Sequence, residues 1–327
     1  MKVIEFSELG NPADVLKLKE RPSRAPGADE VRVRILATPI HPANLLQIAG
    51  QYAATPQLPD IPGGEGIAEV LEVGDGVEHI RPGQKVLLAG AGGSWRDELT
   101  APAGAFIPAP DGDVEQLSML VVNPLTAHLL LSAFRELNDG DWIIQSAANS
   151  AVGEMVVQLA AKRGIRTVNI VRRESQVEHL KTIGGDVVLT DGPDLSERVT
   201  AATGGAPVLL ALDSVAGATF ERLLGTLAYG ATIVSYGVLS GQMPQLNLQS
   251  MIANGIHVRG FWLAKWFETA TAEDRQAAFS VLMPLIASGQ VKTRVDSRFP
   301  LEEIRQAVIR ASESGRDGKV LLMPGAS

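Results

Sequence analysis

Residues 145–153 read QSAANSAVG, and they stand between an apolar run, DWII at 141–144, and a run of helical character, EMVVQLAAKRG at 154–164. A strand, a tight turn and a helix in this order form the unit in which dinucleotide-binding proteins carry a glycine-rich fingerprint. Two of the three expected glycines are missing here. The stretch therefore predicts a strand–turn–helix unit and raises the question of what the turn holds.

Small residues replace the missing glycines. Ala148 and Ser150 are the smallest substitutes, and Gly153 keeps the position at which helix and strand must pack closely. Asn149 tolerates left-handed backbone angles better than most residues do, and amides at a helix N-terminus can hold phosphates. We therefore name Ala148, Asn149, Ser150, Val152 and Gly153 as candidate dinucleotide-binding residues; an ordinary structural turn is the alternative.

Helical stretches alternate with short apolar runs after about residue 118. Strands that alternate with helices predict βαβ units and a parallel sheet, and six such strands suit a doubly wound fold. The six runs are WIIQS (142–146), TVNIVR (167–172), DVVLT (186–190), VLLALDSV (208–215), TIVSYGV (232–238) and IHVRGFWL (256–263).

The first 110 residues follow a different pattern, which predicts an antiparallel β-barrel-type domain. EVRVRILATPI (30–40) alternates polar and apolar residues, as a half-buried strand does. The runs at 66–77 and 85–90 follow it between turn signals. Residues 300–323 predict an amphipathic helix, a turn and a last strand that returns to this first domain.

The predicted fold class is α/β with two domains. A chain of 327 residues exceeds the usual size of one hydrophobic core, which supports this division. We predict a β-barrel-type catalytic domain of residues 1–118 and 285–327, and a six-stranded dinucleotide-binding domain of residues 119–284.

Composition excludes several classes of site and partner. The chain has no cysteine, which excludes disulfides and cysteine-ligated metals, and its five histidines lack metal-ligand spacing, so we predict no metal. A formal net charge of −8 disfavours nucleic acid, because phosphate binding needs a concentrated positive face. No apolar stretch approaches the roughly 20 residues that span a bilayer, and MKVIEFSELG at the start has no signal or transit pattern. We therefore expect no membrane partner and a cytoplasmic location.

The second predicted strand of the dinucleotide fold ends in two arginines. NAD-specific sites place an acidic residue about 20 residues after the fingerprint, where it binds the ribose 2′-hydroxyl. Here the strand ends in NIVRRE, with Arg172 and Arg173 at its tip and Glu174 beside them. Arginine suits a 2′-phosphate through bidentate and stacking contacts. The sequence therefore favours NADPH over NADH; a solvated basic strand end is the alternative.

The order of a β-rich domain, an inserted dinucleotide fold and a returning C-terminal segment resembles the medium-chain dehydrogenase/reductase superfamily over essentially the whole chain. GGEGIAEVLEVGDGV (63–77), RPGQKV (81–86) and GKVLL (318–322) are similar to its recurring segments. The resemblance implies a GroES-like first domain and a Rossmann second domain. Zinc-dependent members carry Gly-His-Glu where this chain reads Gly63-Gly64-Glu65, so the sequence lacks the ligands of both zinc sites.

Among zinc-free members, the chain resembles the 2-enoyl thioester reductases, the enoyl-ACP reductases of mitochondrial type. QSAANSAVG is similar to their QNASNSxVG turn, whereas quinone oxidoreductases carry a turn like AAAGGVG. His41 stands where Asn is commoner and His128 where Tyr is commoner, and these departures bear on substrate preference. Five further segments resemble that group: HPANLLQIAGQY (41–52), GSWRDE (93–98), VNPLTAHLLL (122–131), NIVRR (169–173) and VRGFWLAKW (258–266).

The resemblance implies NADPH-dependent reduction of the α,β double bond of a trans-2-enoyl thioester. Hydride goes to the β-carbon, negative charge develops on the thioester oxygen and the α-carbon takes a proton, so catalysis needs a hydrogen-bond donor and a proton source. Tyr52 corresponds to the family's tyrosine, and its phenol donates to the carbonyl or protonates the α-carbon. A zinc-independent NADPH:quinone or alkenal oxidoreductase is the alternative function, and a non-catalytic cofactor-sensing protein is a third.

Other residues join the candidate site. Asn123 and Thr126 suit contacts with the nicotinamide side or helix capping, and Tyr236 and Gly237 follow a strand at the edge where ligands bind in open α/β sheets. The aromatic candidates line an acyl channel or pack at the core or a dimer edge, and the resemblance implies a homodimer through the last strand. The remaining cofactor candidates are Asn44, Phe261 and Trp262, and the substrate candidates are Trp95, Arg96 and Trp266.

Overall fold

The structure is a computed structural model that describes residues 1–325. Residues 326 and 327, the end of the predicted segment 285–327, lie outside the described residues. The strands are β1 (Lys2–Glu5), β2 (Lys17–Glu20), β3 (Glu30–Pro39), β4 (Ile67–Val73), β5 (Lys85–Leu88), β6 (Glu98–Pro102), β7 (Phe106–Pro108), β8 (Trp142–Gln145), β9 (Arg166–Val171), β10 (Val187–Thr190), β11 (Val208–Asp213), β12 (Thr232–Ser235), β13 (His257–Gly260), β14 (Val295–Phe299) and β15 (Lys319–Leu322). The helices are α1 (Pro12–Val15), α2 (Pro42–Ile48), α3 (Val114–Ser118), α4 (Asn123–Ser132), α5 (Ala151–Lys162), α6 (Val177–Thr182), α7 (Leu195–Thr203), α8 (Gly217–Leu224), α9 (Leu248–Asn254), α10 (Leu263–Thr269), α11 (Ala272–Ala287) and α12 (Ile304–Ser312).

Two compact units divide the chain. The first consists of Met1–Val122 and Ser280–Ser327, and the second consists of Asn123–Phe279. The later boundary falls inside α11. Within residues 1–325, no helix is both long enough and apolar enough to cross a membrane.

The second unit contains a six-stranded sheet in the order β10-β9-β8-β11-β12-β13, and every neighbouring pair is parallel. Five of the six apolar runs contain one of these strands in full, and the run 167–172 overlaps β9, which begins one residue earlier at Arg166. The predicted doubly wound α/β fold is therefore confirmed. The strands read as continuous apolar runs because parallel sheets are buried on both faces. The order reverses between β8 and β11, and ligands in such sheets bind beyond the carboxyl ends of the strands at this point.

The first unit contains a seven-stranded sheet built around the long strand β3. β3 pairs with β4, β6 and β15, and all three pairings are antiparallel. The sheet continues from β4 through β5 to β7, and β14 lies parallel beside β15. The C-terminal strand β15 therefore completes a sheet whose other members, apart from β14, belong to the first third of the chain.

β3 shows why an alternating pattern forms a half-buried strand. Val31, Val33 and Ile35 are fully buried in one apolar cluster with residues from β4 to β7. Successive side chains of a strand point to opposite faces, and the intervening Arg32 and Arg34 form ion pairs with glutamates of β4 and β6. One face of β3 thus builds the core of the first unit while the other is charged.

The last strand of the second unit is shorter than the run 256–263 that predicted it. β13 ends at Gly260, and Trp262 is the N-cap residue of α10. The strand stops because its partner, β12, ends at Ser235, which lies opposite Gly260. All four residues of β13 are exposed at the edge of the sheet, so the aromatic residues that follow belong to a turn and a helix instead of the sheet.

Candidate active site

The turn between β8 and α5 is closed by a helix cap. Ser150 is the N-cap residue of α5, and its Oγ accepts a hydrogen bond from the Gly153 amide at 3.1 Å. The first amides of a helix have no intrahelical acceptor, so the cap leaves those of Ala151 and Val152 available to a ligand. The same end of a helix carries a partial positive charge. The turn can therefore bind a phosphate through its backbone.

Gly153 lies where no side chain fits. A Cβ atom on this residue would stand 2.6 Å from the carbonyl oxygen of Ala148 and 2.7 Å from that of Ala147. Ala148 is fully buried, and Ala147 has a φ of 45°, in the left-handed region. Gly153 thus packs the helix closely against the turn, while the two positions without glycine accept small side chains.

Buried amide side chains hold the turn against the sheet. Gln145 Nε2 donates to the carbonyl oxygen of Gly153 at 3.0 Å and to Asn169 Oδ1 at 2.7 Å. Asn169 donates in turn to Thr167 Oγ1 and to the carbonyl oxygen of Val187. This uncharged chain crosses β8, β9 and β10 and selects one geometry, because a buried polar group without a partner costs about 1–3 kcal/mol. Sequence reasoning missed it, although a polar residue inside each of two apolar strands was a signal.

A buried acid joins the ends of β8 and β11. Asp213 is fully buried, and its Oδ1 accepts a hydrogen bond from Ser146 Oγ at 2.7 Å. Its two oxygens also accept the amides of Val215 and Ala216. Burial raises the pKa of Asp213, and these hydrogen bonds oppose the rise. The carboxyl group therefore fixes the two strand ends that border the ligand crevice of the sheet.

Tyr236 and Gly237, both predicted to contact the cofactor, follow β12. The Tyr236 amide donates to the carbonyl oxygen of Asp213 at 2.8 Å. Burial raises the pKa of the Tyr236 hydroxyl to about 12, so this group stays protonated at neutral pH. A Cβ atom on Gly237 would stand 2.9 Å from the carbonyl oxygen of Ser214. Gly237 therefore allows the chain after β12 to approach the chain after β11.

The arginine pair lies at the end of the second strand of the fold. Arg172 and Arg173 follow β9 directly, and both are exposed. Neither guanidinium has an ion-pair or hydrogen-bond partner within residues 1–325. Arg222, by contrast, forms an ion pair with Asp191 in the same unit. The pair at 172 and 173 is thus available to an external anion.

Asn123 and Thr126 lie in the first turn of α4, and both are buried. The Asn123 Nδ2 atom is buried and has no hydrogen-bond partner among the described residues. An unpaired buried donor is unfavourable by about 1–3 kcal/mol. Such a donor suits the acceptor of a bound ligand, for example a carboxamide oxygen.

The aromatic candidates surround the start of α10. Phe261 contacts Phe134 edge to face, with ring centroids 5.8 Å apart. Trp266 makes the same kind of contact with Phe267 at 5.2 Å. Trp262 is the N-cap residue of α10 and is exposed. Two of the three candidates therefore pack within the second unit, and Trp262 is the accessible one.

Tyr52 lies in the loop after α2 of the first unit, and it is half-buried. The helix begins after its N-cap residue, His41, whose amide donates to Asn44 Oδ1 at 2.9 Å. Asn44 therefore caps the start of α2 through this hydrogen bond, and the cofactor contact predicted for Asn44 stays a prediction. The start of α2, and with it the segment that leads to Tyr52, is therefore held by a side-chain cap.

Trp95 and Arg96 lie in the loop before β6. Trp95 is fully buried in the apolar core of the first unit. A Cβ atom on Gly63, whose φ is 105°, would stand 2.7 Å from Trp95 Cδ1, so this glycine makes room for the ring. Arg96 Nε donates to the carbonyl oxygen of Gly93 at 2.6 Å, and burial lowers the pKa of the guanidinium. In this geometry Trp95 acts on the loop through packing, and its substrate contact stays a prediction.

Three ionisable side chains that sequence reasoning did not connect lie together in the first unit. We call His41, Glu65 and Lys319 the buried triad. Their exposed fractions are 6%, 1% and 6%. The signals were a lysine at the start of the apolar strand β15 and an acid just before β4. No group of three or more His, Cys, Asp or Glu side chains within residues 1–325 is arranged to hold a metal ion.

The close packing at Gly153 generates a test of the turn. We expect Gly153→Ala to lower the free energy of unfolding by about 1–3 kcal/mol, because the added methyl group must displace backbone atoms. Urea denaturation measures the change. The control is Gly104→Ala, an exposed residue of the first unit at which an added Cβ atom meets nothing within 4 Å. Equal stability of the two variants would contradict the packing argument.

Comparison with known proteins places these features in a family. The family model described as "Zinc-binding dehydrogenase" matches residues 151–281. The family model described as "Alcohol dehydrogenase GroES-like domain" matches residues 27–111. The mitochondrial enoyl-acyl-carrier-protein reductase of Rattus norvegicus is 34% identical over 315 residues, which cover 94% of this chain and 84% of the relative.

Solved structures agree with this relationship. A mycobacterial quinone oxidoreductase and the mycobacterial protein Rv1454c in complex with NADPH are each 29% identical, with a TM-score of 0.87. Each similarity covers 99% of this chain and 100% of the other. The chain therefore belongs to the medium-chain dehydrogenase/reductase superfamily and, within it, to the oxidoreductase family of the mitochondrial enoyl-acyl-carrier-protein reductases.

Proposed function

We propose that this chain reduces the α,β double bond of trans-2-enoyl thioesters with NADPH. The observation that carries the proposal is its 34% identity to the rat enoyl-acyl-carrier-protein reductase over 94% of the chain. The segment matched by the GroES-like description, residues 27–111, includes the loop with Tyr52. A hydrogen-bond donor in this loop is what the reaction requires of the first unit.

The residues of the second unit fit NADPH. The amides of Ala151 and Val152 suit the pyrophosphate, and the exposed Arg172 and Arg173 suit the 2′-phosphate. The unpartnered Asn123 Nδ2 suits the carboxamide of the nicotinamide. The 29% identical mycobacterial protein that binds NADPH supports this assignment. Further proposed contacts are Asn44, Thr126, Asn149, Tyr236, Gly237, Phe261 and Trp262, while Ala148, Ser150 and Gly153 shape the turn.

NADPH, when bound, supplies the hydride that the β-carbon accepts. Negative charge then develops on the thioester oxygen, and the protein must stabilise it. In our proposal the Tyr52 hydroxyl donates a hydrogen bond to that oxygen or gives its proton to the α-carbon. Arg96 orders the loop before β6, Trp95 supports that loop from the core, and Trp266 lines the acyl chain.

A zinc-independent NADPH:quinone or alkenal oxidoreductase is the second candidate function. The 29% identity to a mycobacterial quinone oxidoreductase over 99% of the chain favours it. Hydride delivery to a quinone needs no hydroxyl that stabilises an enolate. The role of Tyr52 therefore separates the two functions.

Substitution of Tyr52 tests the reaction. We expect the wild type to oxidise NADPH with an enoyl-CoA, and Tyr52→Phe to lower kcat/KM by about 100- to 10,000-fold, because general acid catalysis contributes this much. Tyr229→Phe is the control, since Tyr229 is 79% exposed in the second unit. Turnover of a quinone but of no enoyl-CoA of any chain length would refute the proposed function.

Substitution of the arginine pair tests the cofactor. We expect Arg172→Ala with Arg173→Ala to weaken NADPH binding by about 10- to 100-fold and to leave NADH binding unchanged, because a hydrogen bond to a charged group contributes about 1.5–3 kcal/mol. Fluorescence titration with both nucleotides measures the two constants. Lys181→Ala is the control, as an exposed base of the same unit. An equal loss for NADPH and NADH would show that the arginines do not meet the 2′-phosphate.

We also propose that the chain forms a homodimer through β13. All four residues of this edge strand are exposed, Val258 at 39%, and the neighbouring helix α9 exposes Leu248 at 64% and Ile252 at 81%. An exposed edge strand offers unpaired backbone groups to a second strand, and exposed apolar residues beside it add surface to bury. A second copy related by a two-fold axis would continue the sheet.

The cytoplasmic location also stays a prediction, whereas the relatives are mitochondrial by name.

Sedimentation analysis tests the dimer. We expect the wild type to sediment with twice the 34.6 kDa mass of one chain, and Val258→Asp to sediment with a single mass, because the added charge lies at the paired strand. Ile309→Asp is the control, since Ile309 is 43% exposed in the first unit. A dimer that survives Val258→Asp unchanged would move the interface away from β13.

A further inference from the structure

The buried triad joins three separate parts of the first unit. His41 precedes α2, Glu65 precedes β4 and Lys319 begins β15. His41 Nε2 lies 2.6 Å from Glu65 Oε1, and His41 Nδ1 lies 2.9 Å from Lys319 Nζ. The imidazole therefore stands between a buried acid and a buried base.

These contacts select one protonation state of the imidazole. A carboxylate only accepts hydrogen bonds, so His41 Nε2 carries the proton and donates to Glu65. An ammonium group only donates, so His41 Nδ1 accepts from Lys319. Burial lowers the pKa of His41 and the positive charge of Lys319 lowers it further, while Glu65 opposes both; the net direction favours the neutral ring. The triad then contains one negative and one positive charge.

The second oxygen of Glu65 extends the triad to another segment. Glu65 Oε2 accepts the amide of Val122 at 2.7 Å. Val122 is the last residue of this stretch of the first unit, and Asn123 follows it in the chain. The other oxygen, Glu65 Oε1, contacts His41, which is the N-cap residue of the helix that leads to Tyr52. One carboxylate thus holds both the peptide before Asn123 and the segment before Tyr52.

Stability alone does not account for such a cluster. Desolvation of buried charges offsets much of their attraction, and apolar side chains of similar volume often stabilise a protein as well. Apolar side chains cannot reproduce the directions of these contacts, in which each ring nitrogen and each carboxylate oxygen has its own partner. The geometry that the triad imposes is therefore the property that distinguishes it from an apolar core.

We propose that the buried triad is a positioning device for the reduction, in which Glu65 fixes the segment before Tyr52 and the peptide before Asn123 relative to each other. Lys319 holds His41 in the tautomer that makes the contact with Glu65. The proposal rests on the function proposed above, and it gives none of the three residues a contact with substrate.

Hydrogen exchange and kinetics together test this proposal. We expect Glu65→Gln and His41→Leu to raise amide exchange in residues 42–52 and 119–122 of the nucleotide-free protein. We also expect both variants to lower kcat at least tenfold with little change in KM. His41→Gln should restore part of the lost exchange protection and part of the lost kcat, because its carboxamide has a donor NH2 group and an acceptor oxygen, as the neutral imidazole has a donor and an acceptor nitrogen.

The matched control is Glu5→Gln. Glu5 is a buried carboxylate of the same unit, with an exposed fraction of 4%, and it pairs with Lys19 and Arg21 outside the triad. We expect Glu5→Gln to lower stability without changing kcat or exchange in residues 42–52 and 119–122. If the triad variants behave like Glu5→Gln, the triad is merely structural and the proposal is wrong.

The pH dependence gives a second readout. Burial lowers the pKa of Lys319 to about 8; Arg316 acts in the same direction and Glu65 opposes it. The groups that face Lys319 are thus His41, Glu65 and Arg316. We expect the wild-type kcat to fall above about pH 8, as Lys319 loses its proton, and Lys319→Met to show a lower kcat without this fall. The same alkaline limb in Lys319→Met would overturn the role of Lys319.

The two proposals fail in different ways. If the wild type reduces no enoyl thioester, the proposed function is wrong, and the exchange of residues 42–52 and 119–122 alone decides the positioning role. If Glu65→Gln does not fold, the comparison of His41→Leu with His41→Gln decides it. Unchanged exchange in both segments in His41→Leu would contradict the proposal in either case.

Discussion

The contact distance between α5 and the turn at Gly153 sets the geometry of the second unit. A Cβ atom on Gly153 would stand only 2.6 Å from the carbonyl oxygen of Ala148, so only a glycine fits there. This close approach brings the N-terminus of the helix to the end of β8. Ser150 then caps the helix, and Gln145 ties the carbonyl oxygen of Gly153 to the neighbouring strand. Because Gly153 keeps the close contact between helix and turn, Ala148 can occupy another glycine position of the fingerprint without disturbing that contact.

Local patterns predicted much of this structure. The six strands of the second unit are short apolar runs because both faces of a parallel sheet are buried, and β3 alternates because one of its faces is charged. The turn and the arginine pair were found in the same way, as small residues and charges at a strand end. Local patterns did not predict where β13 ends, because the length of an edge strand depends on where its partner strand stops.

Local patterns marked single members of the side-chain networks but did not predict the contacts between them. Lys319 and His41 are 278 positions apart in the sequence, and nothing near either residue predicts that they meet. Gln145 and Asn169 lie on adjacent strands whose pairing is itself a tertiary result. The contacts of Glu65 also bear on the family description "Zinc-binding dehydrogenase", which the chain matches. Both carboxylate oxygens of Glu65 are engaged, one by His41 and one by the Val122 amide. The sequence also has no cysteine that could bind zinc.

The return of β15 to β3 has a consequence for the synthesis of the chain. A polypeptide leaves the ribosome from its N-terminus and folds as its domains emerge. The second unit, Asn123–Phe279, is continuous and can close while the first unit still lacks β14 and β15. The sheet around β3 is completed only when the last strand emerges with Lys319. The nascent chain can therefore fold its second unit before β15 completes the sheet of the first.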